Sequence, residues 1–219
     1  MLSTRNKEGK MDMKKFTMFE LSLVIAVIAV FAALAMPVIA KAQAEVAEVT
    51  CENNQKQIMA AVIAYAADYK GYVVPANLDS LSWNSYIIGM KRTKGGATMG
   101  KKSYINPKSK VFFCPEEPVV TNISYAVNRE FFAKGKGLNI TIDKINPSLI
   151  YLADMSPAAI KTTGSPTFMP KRVSADGKGW GFAYLRHEDK VNVGKIDGSV
   201  ESLDEKTFKT NNKYWTVAK

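Results

Sequence analysis

The sequence is poor in the residues that build most metal sites and disulfide-rich folds, since its 219 residues include one histidine and two cysteines. One histidine excludes sites held by several histidines. Two cysteines exclude a disulfide-dense miniature fold, and they exclude a zinc ribbon, which needs two cysteine pairs. The chain also lacks charge between residues 21 and 40, and it lacks glycine and proline between residues 41 and 70. Each of these two gaps predicts a stretch of helix.

The uncharged run at residues 21–40 is long enough to cross a membrane. Twenty helical residues span about 30 Å, the thickness of the hydrocarbon core of a bilayer. Residues 1–15 are polar and contain five basic and two acidic residues, and such a basic flank stays on the cytoplasmic side. A buried core helix and a cleaved signal peptide are the alternatives, although the apolar part of a signal peptide is shorter, about 7 to 15 residues. The pattern predicts a basic cytoplasmic leader at 1–15 and a transmembrane helix at 16–40.

Residues 41–70 continue the helix as an amphipathic spine. They are rich in alanine, which has the highest helix propensity, and Gly71 is expected to end the helix. Apolar residues recur at near-helical spacing and predict one stripe that packs against a domain. The stripe consists of Val46, Val49, Ile58, Val62, Tyr65 and Tyr69.

Residues 71–219 form the predicted globular domain. Glycine, asparagine, serine and proline separate short apolar runs, which is typical of strands joined by turns. The runs are 111–113, 123–127, 149–153, 180–185, 191–196 and 199–203. We expect an antiparallel sheet packed on the helical spine, which gives an α+β fold.

Two residues of the apolar half do not suit a simple membrane anchor. Glu20 lies at its edge, and an uncompensated charge deep in a bilayer costs about 2.5–3.5 kcal/mol. Pro37 lies inside it, where proline removes one backbone hydrogen bond and bends a helix. From these residues alone, Glu20 is interpreted as an acid whose side chain extends to the membrane interface, and Pro37 as a residue that only bends the helix.

Residues 16–21 read Phe-Thr-Met-Phe-Glu-Leu and precede the apolar run. This stretch resembles the cleavage and methylation segment of type IV prepilins and type II secretion pseudopilins. The resemblance implies that prepilin peptidase cuts between Lys15 and Phe16 and that Phe16 becomes N-methylated. Lys15 occupies a position where the family usually has glycine. Glu20 and Pro37 then match the glutamate and the kinking proline that pilins commonly carry.

The same resemblance implies a pilin-like fold and a structural role without enzymatic activity. The chain would be anchored once in a bacterial inner membrane, with its C-terminal domain in the periplasm or outside the cell. Its partners would be prepilin peptidase and other pilin or pseudopilin subunits, with Glu20 setting subunit register by pairing with a neighbour's freed amine. No specific nucleic acid is expected.

Further motifs are similar to one large pseudopilin-like class. They are Cys-Glu-Asn-Asn-Gln-Lys-Gln-Ile at 51–58, the tyrosine-rich stretch at 65–75, and a C-terminal signature in which nine residues separate His187 from Asp197-Gly198. Read from the residues alone, Asp197-Gly198 is a favoured two-residue hairpin turn. His187 at the loop end of a hairpin lies far from Asp197, so it is interpreted as structural or superficial rather than as a metal ligand. Asp189 leaves a weak calcium option, and no other cofactor is expected.

Cys51 and Cys114 both follow the membrane span. In an oxidising compartment they form a disulfide between helix and sheet, which closes a loop of about 60 residues. Two buried free thiols are the alternative.

The segment 91–110 contains seven basic and no acidic residues, and it is interpreted as a solvated loop. It lacks the Gly-Lys-Ser/Thr of a phosphate-binding loop. The basic domain nevertheless supports a second hypothesis, in which the helix is only an anchor and the domain binds anionic ligands such as polysaccharide.

Overall fold

The computed structural model describes residues 17–78, 81–100, 102–116, 123–131, 140–156, 166–174 and 183–215. The chain divides into two compact units, one ending at Gln43 and the other beginning at Ala44. The helices are α1 (Met18–Asp68), α2 (Trp83–Ile87) and α3 (Glu205–Thr210). The strands are β1 (Asn77–Leu78), β2 (Leu81–Ser82), β3 (Met90–Thr93), β4 (Gly96–Met99), β5 (Tyr125–Asn128), β6 (Ile150–Asp154), β7 (Thr167–Phe168), β8 (Val173–Ser174), β9 (Ala183–Tyr184), β10 (Lys190–Lys195) and β11 (Val200–Asp204). Short 3-10 helices are at Lys110–Phe112, Arg129–Phe131, Ile142–Lys144 and Asn212–Tyr214.

Helix α1 confirms the long N-terminal helix, and it contains one stretch long and apolar enough to cross a membrane. It ends at Asp68, two residues before the predicted limit. Lys70 and Gly71 both adopt positive φ, and the Gly71 amide donates to the carbonyl of Ala66 at 2.7 Å. This left-handed ending adds a hydrogen bond to a carbonyl of the last turn, as helix ends with a positive-φ residue commonly do.

The predicted stripe of the spine is only partly right. Val46, Val49 and Tyr69 are more than half exposed, whereas the other members of the stripe are buried. The buried positions of α1 are Ala47, Cys51, Asn54, Gln55, Ile58, Met59, Ala61, Val62, Tyr65 and Ala66. Polar Asn54 and Gln55 belong to this face because their amides hydrogen-bond to groups of the sheet side, so the buried face cannot be found from apolar residues alone.

A five-stranded sheet with the order β11-β10-β6-β5-β7 packs on α1. Its pairs are antiparallel except for β5 and β7, which run parallel. Separate two-stranded pairs are β1–β2, β3–β4 and the parallel β8–β9. The α+β layout with antiparallel pairing is therefore confirmed, with parallel pairing as the departure.

The central strand β6 is buried along its whole length because both faces of the sheet are covered. A helix-side core joins α1 to the sheet through residues such as Ile58, Val62, Tyr125 and Leu152. A second core on the other side of β10 and β6 is closed by α3, whose Phe208 is fully buried. A strand buried on both faces is apolar without alternation, as the run at 149–153 is.

Most predicted strands fall on observed ones, and the run at 111–113 is wrong. Lys110–Phe112 forms a 3-10 turn, and the hydroxyl of Ser109 accepts a hydrogen bond from the amide of Val111. A serine cap of this kind offers the backbone an alternative to a strand. Residues 180–182 of the run at 180–185 lie outside the described residues, and β9 covers only its centre.

The hairpin between β10 and β11 exists, but its turn is not the predicted two-residue one. The amide of Gly198 donates to the Lys195 carbonyl, and the amide of Lys195 donates to the Ser199 carbonyl, so residues 196–198 form a three-residue loop. Gly198 alone has positive φ there, as in a turn that ends in a bulge.

Gly194 on β10 permits a close approach of sheet and helix. A Cβ atom at this position would lie 2.8 Å from Met59 Cγ and 3.2 Å from Leu152 Cβ.

We expect Gly194→Val to lower the free energy of unfolding by about 1–3 kcal/mol, because the extra methyl groups overpack this contact. Urea denaturation followed by the fluorescence of buried Trp83 measures it. Gly95→Ala, which meets no atom within 4 Å, is the control and should change little. Equal stability of the two variants would contradict the packing argument.

Candidate functional site

The N-terminus of α1 places Glu20 in a capping box. The amide and the hydroxyl of Thr17 each donate to Glu20 Oε2 at 2.9 Å, and the Glu20 amide donates to the Thr17 hydroxyl at 3.2 Å. This reciprocal pair satisfies amides that a helix start leaves free. Lys15 and Phe16 lie outside the described residues. Pro37 lies within α1, and the bend expected there stays a prediction.

Cys51 and Cys114 form a disulfide, which decides between the two alternatives left by the sequence. Their Cα atoms are 5.4 Å apart, and both residues are buried. Cys51 comes from the buried face of α1, and the Cys114 amide donates to the hydroxyl of Ser124 just before β5. The bond closes a loop across a sequence separation of 63 residues, which is worth about 4 kcal/mol in the chain-entropy description.

His187 is buried against this disulfide rather than lying on the surface. Its Nε2 lies 3.7 Å from Cys114 Sγ, and its Nδ1 lies 2.9 Å from Glu116 Oε2. The contact with Glu116 has the distance of an ion pair but not the alignment of a hydrogen bond. Burial, and then the charge of Arg186, lower the pKa of His187 to about 4, so the ring is neutral near neutral pH.

A tight turn follows His187 and fixes its position. The Lys190 amide donates to the His187 carbonyl at 2.9 Å, and Glu188 and Asp189 between them both have positive φ. Two left-handed residues match the turn that suits a two-residue hairpin, but these are not glycine, and each costs about 1–2 kcal/mol. Strain of this kind persists only where the surroundings hold it.

A buried polar cluster lies under the same part of α1, centred on Asp154 at the end of β6. Gln55 Nε2 donates to Asp154 Oδ1 at 3.0 Å, and the Asn192 amide donates to Asp154 Oδ2 at 2.9 Å. Arg186 lies 3.8 Å from Asp154 Oδ1 and donates to the Met155 carbonyl. Burial raises the pKa of Asp154 to about 6 although Arg186 opposes the shift. The cluster therefore ties helix to sheet by polar contacts inside the core.

The class signature does not converge on one site. His187 precedes β10 and Asp197 follows it, so the two residues lie at opposite ends of this strand. Asp197 accepts hydrogen bonds from the amide and hydroxyl of Ser199 and so stabilises the β10–β11 turn. Asp189 lies in the turn after His187, and the calcium option stays a prediction.

Several residues of the site were missed from the sequence. From the sequence, no role is assigned to Asp154, Arg186 or Glu116. A carboxylate directly after an apolar strand was the available signal for Asp154, because it marks where a fully buried strand meets polar partners. The capping role of Glu20 was also missed, and its signal was the spacing Thr17-x-x-Glu20, which is that of a capping box. No pattern in the sequence brings Glu116 to His187.

The basic segment 91–110 is more ordered than a solvated loop. Strands β3 and β4 form a hairpin within it, and Lys102 makes an ion pair with Asp68, which also accepts a hydrogen bond from the Tyr104 hydroxyl. These contacts tie the segment to the end of α1. Lys91 and Lys94 remain exposed on the hairpin.

The two buried titratable groups predict opposite pH effects on stability. The pKa of Asp154 is raised from 3.8 to about 6, so its contribution falls as pH rises from about 4 to 6. The pKa of His187 is lowered from 6.5 to about 4, so its contribution is lost as pH falls from 6.5 to 4. Each variant removes the pH-dependent contribution of the residue that it replaces. The free energy of unfolding of His187→Gln minus that of the native chain should therefore fall as pH rises through this window. The same difference for Asp154→Asn should fall as pH decreases.

Urea midpoints measured between pH 4 and 6.5 test this. Glu188→Gln changes an exposed carboxylate next to His187 and is the control for a general charge effect. Parallel curves for the native chain and both core variants would contradict the assignment.

Comparison of the chain with protein-family models, with curated proteins and with solved structures finds no match. What the chain does must therefore be inferred from its own residues.

Proposed function

We propose that the chain is a structural subunit of the pseudopilin kind, anchored in a membrane by the first part of α1 and assembled with like subunits into a type IV pilus-like or type II secretion filament. The observation that carries the proposal is the uncovered apolar surface of α1. Large apolar residues from Met18 to Ile39 are exposed, among them Ile28 at 60% and Phe31 at 69%.

This surface is apolar around the whole helix rather than along one stripe. A helix of that composition is stable only where it is surrounded, by lipid or by other apolar helices. Lipid would cover it in the free subunit, and the equivalent helices of neighbouring copies would cover it in a filament. The same segment then serves as anchor and as assembly core.

Glu20 is the acid of this segment and gives the proposal its specific chemistry. The contacts described for its carboxylate are to Thr17 of its own helix. In apolar surroundings a carboxylate needs a cationic partner, since desolvation of an unpaired charge costs several kcal/mol. Cleavage between Lys15 and Phe16 by prepilin peptidase would free an amine at Phe16 that a neighbouring copy presents to Glu20.

The capping box allows the two roles of Glu20 to be separated. Glutamine at this position keeps the capping box but removes the charge, whereas Thr17→Ala removes the cap and keeps the charge. We expect Glu20→Gln and Glu20→Ala to insert in the membrane but to lose incorporation into filaments, and Thr17→Ala to assemble. Membrane fractionation and the subunit content of sheared filaments measure this, with Glu45→Gln, an exposed acid of α1 beyond the apolar run, as the control.

The opposite pattern, with Glu20→Gln assembling and Thr17→Ala failing, would reduce Glu20 to a helix cap. Mass spectrometry of the mature N-terminus tests the processing step independently. A chain that starts at Met1 in assembled filaments would contradict cleavage before Phe16.

A second candidate function is supported by the exposed lysines of the β3–β4 hairpin, which present positive charge to solvent. A membrane-tethered module of this kind binds anionic polysaccharide through charge, and such binding weakens as salt rises. We expect Lys91→Gln with Lys94→Gln to reduce binding of the full chain to dextran sulfate several-fold. Lys206→Gln, an exposed lysine of α3, is the matched control and should leave binding unchanged. Binding that neither salt nor the hairpin substitutions affect would exclude this function.

A further inference from the structure

Three side chains with metal-ligating atoms meet beside α1. Cys51 Sγ, Cys114 Sγ and a ring nitrogen of His187 all lie within 4.8 Å of one another, and all three residues are buried. His187 Nε2 faces Cys114 Sγ at 3.7 Å. In a tetrahedral zinc site, Zn–S and Zn–N bonds of about 2.3 and 2.0 Å place sulfur and nitrogen about 3.5 Å apart. His187 is therefore already at ligand distance from one sulfur.

The surroundings of His187 resemble those of a ligating histidine. Metal-bound histidines usually direct their second nitrogen to a carboxylate or carbonyl, which fixes the ring. Glu116 Oε2 lies 2.9 Å from Nδ1 of His187 without the alignment of a hydrogen bond, so a carboxylate is near this nitrogen while Nε2 faces the sulfur side. The left-handed turn at Glu188 and Asp189 holds the backbone of His187 from the other direction. The Glu116 carboxylate and this turn therefore flank His187.

An open groove beside α1 ends at Cys114. It has a volume of about 770 Å³ and is lined by Cys114 and Pro115 together with Thr50 and Asn54 of α1. Cys114 itself is almost fully buried, so the groove reaches the wall that it forms rather than exposing it. A small reductant or a metal ion can therefore approach Cys114 from this side, and it reaches the buried sulfurs only when this wall opens.

We propose that, after reduction of the Cys51–Cys114 bond, the two thiolates and Nε2 of His187 bind one thiophilic d10 cation, Zn²⁺ or Cu⁺. An external dithiol supplies the reduction: it is oxidised to its own disulfide, and the protein gains two thiols. Binding of the cation then releases the two thiol protons. Three ligands suit Cu⁺ directly, and they leave Zn²⁺ its fourth position for solvent. The disulfide and the metal form are mutually exclusive.

The test uses the full chain in detergent, reduced with dithiothreitol that is then removed under anaerobic conditions. Co²⁺ alone is titrated first, because tetrahedral thiolate coordination gives intense visible bands and a sulfur-to-metal charge-transfer band. We expect saturation at one equivalent and no bands from the oxidised chain. Competition with a zinc chelator and with bicinchoninate, which holds Cu⁺, then determines which cation binds more tightly.

Three variants separate a site from adventitious thiol binding. His187→Ala should weaken Co²⁺ and Zn²⁺ binding at least tenfold, and Glu116→Gln, which acts through His187, by about tenfold. Glu45→Gln changes an exposed acid of α1 that has no part in the site and should leave affinity unchanged. Equal affinity of the native chain and His187→Ala would overturn the proposal.

The thermal midpoint of unfolding tests the proposal even if reduction of the disulfide destabilises the chain. Circular dichroism should show that one equivalent of Zn²⁺ raises the thermal midpoint of the reduced native chain but not of reduced His187→Ala. A reduced chain that unfolds and does not refold with Zn²⁺ or Cu⁺, or one that binds metal equally well in urea, would overturn the site.

Discussion

The fold beyond the apolar part of α1 depends on one contact surface, the buried face of this helix against the mixed sheet. Apolar packing around Ile58 and Val62 supplies the area, and Gly194 allows the helix to come close. Polar contacts within the same face fix the geometry, because Gln55 bonds to Asp154 and to the carbonyl of Asn192. Polar groups inside a core tolerate few alternative arrangements, since any other register would leave them unsatisfied.

The covalent and polar contacts of this surface are adjacent rather than dispersed. Cys51 and Gln55 are one helical turn apart, so the disulfide and the Asp154 cluster hold the same short length of α1. His187 touches the disulfide, and its neighbour Arg186 faces Asp154. The disulfide, His187 and the Asp154 cluster therefore lie close together between helix and sheet. Because they are in contact, a substitution at one of them is expected to change the energetics of the others.

The sequence was informative wherever a single local property decides the structure. An uncharged run gives the apolar helix, the absence of glycine and proline gives its continuation, and short apolar runs give β5, β6, β10 and β11. It was uninformative where a distant partner decides. Asn54 and Gln55 look like surface residues, and only their partners at Phe113 and Asp154 make them buried. In the left-handed turn at Glu188 and Asp189, aspartate suits the positive φ but glutamate does not, so turn preferences alone do not predict it.

The disulfide also sets the path along which tension passes through the molecule. A pull on α1 ahead of Cys51, resisted at the C-terminal end of the chain, is carried across the sulfur bridge from helix to the segment before β5. Residues 52–113 lie within the closed loop, so such a pull cannot extend their backbone while the bridge is intact. In the proposed filament, a subunit held by its helix and loaded through its globular part would extend only outside this loop, and reduction of the bridge would add the length of residues 52–113 to the chain that can extend.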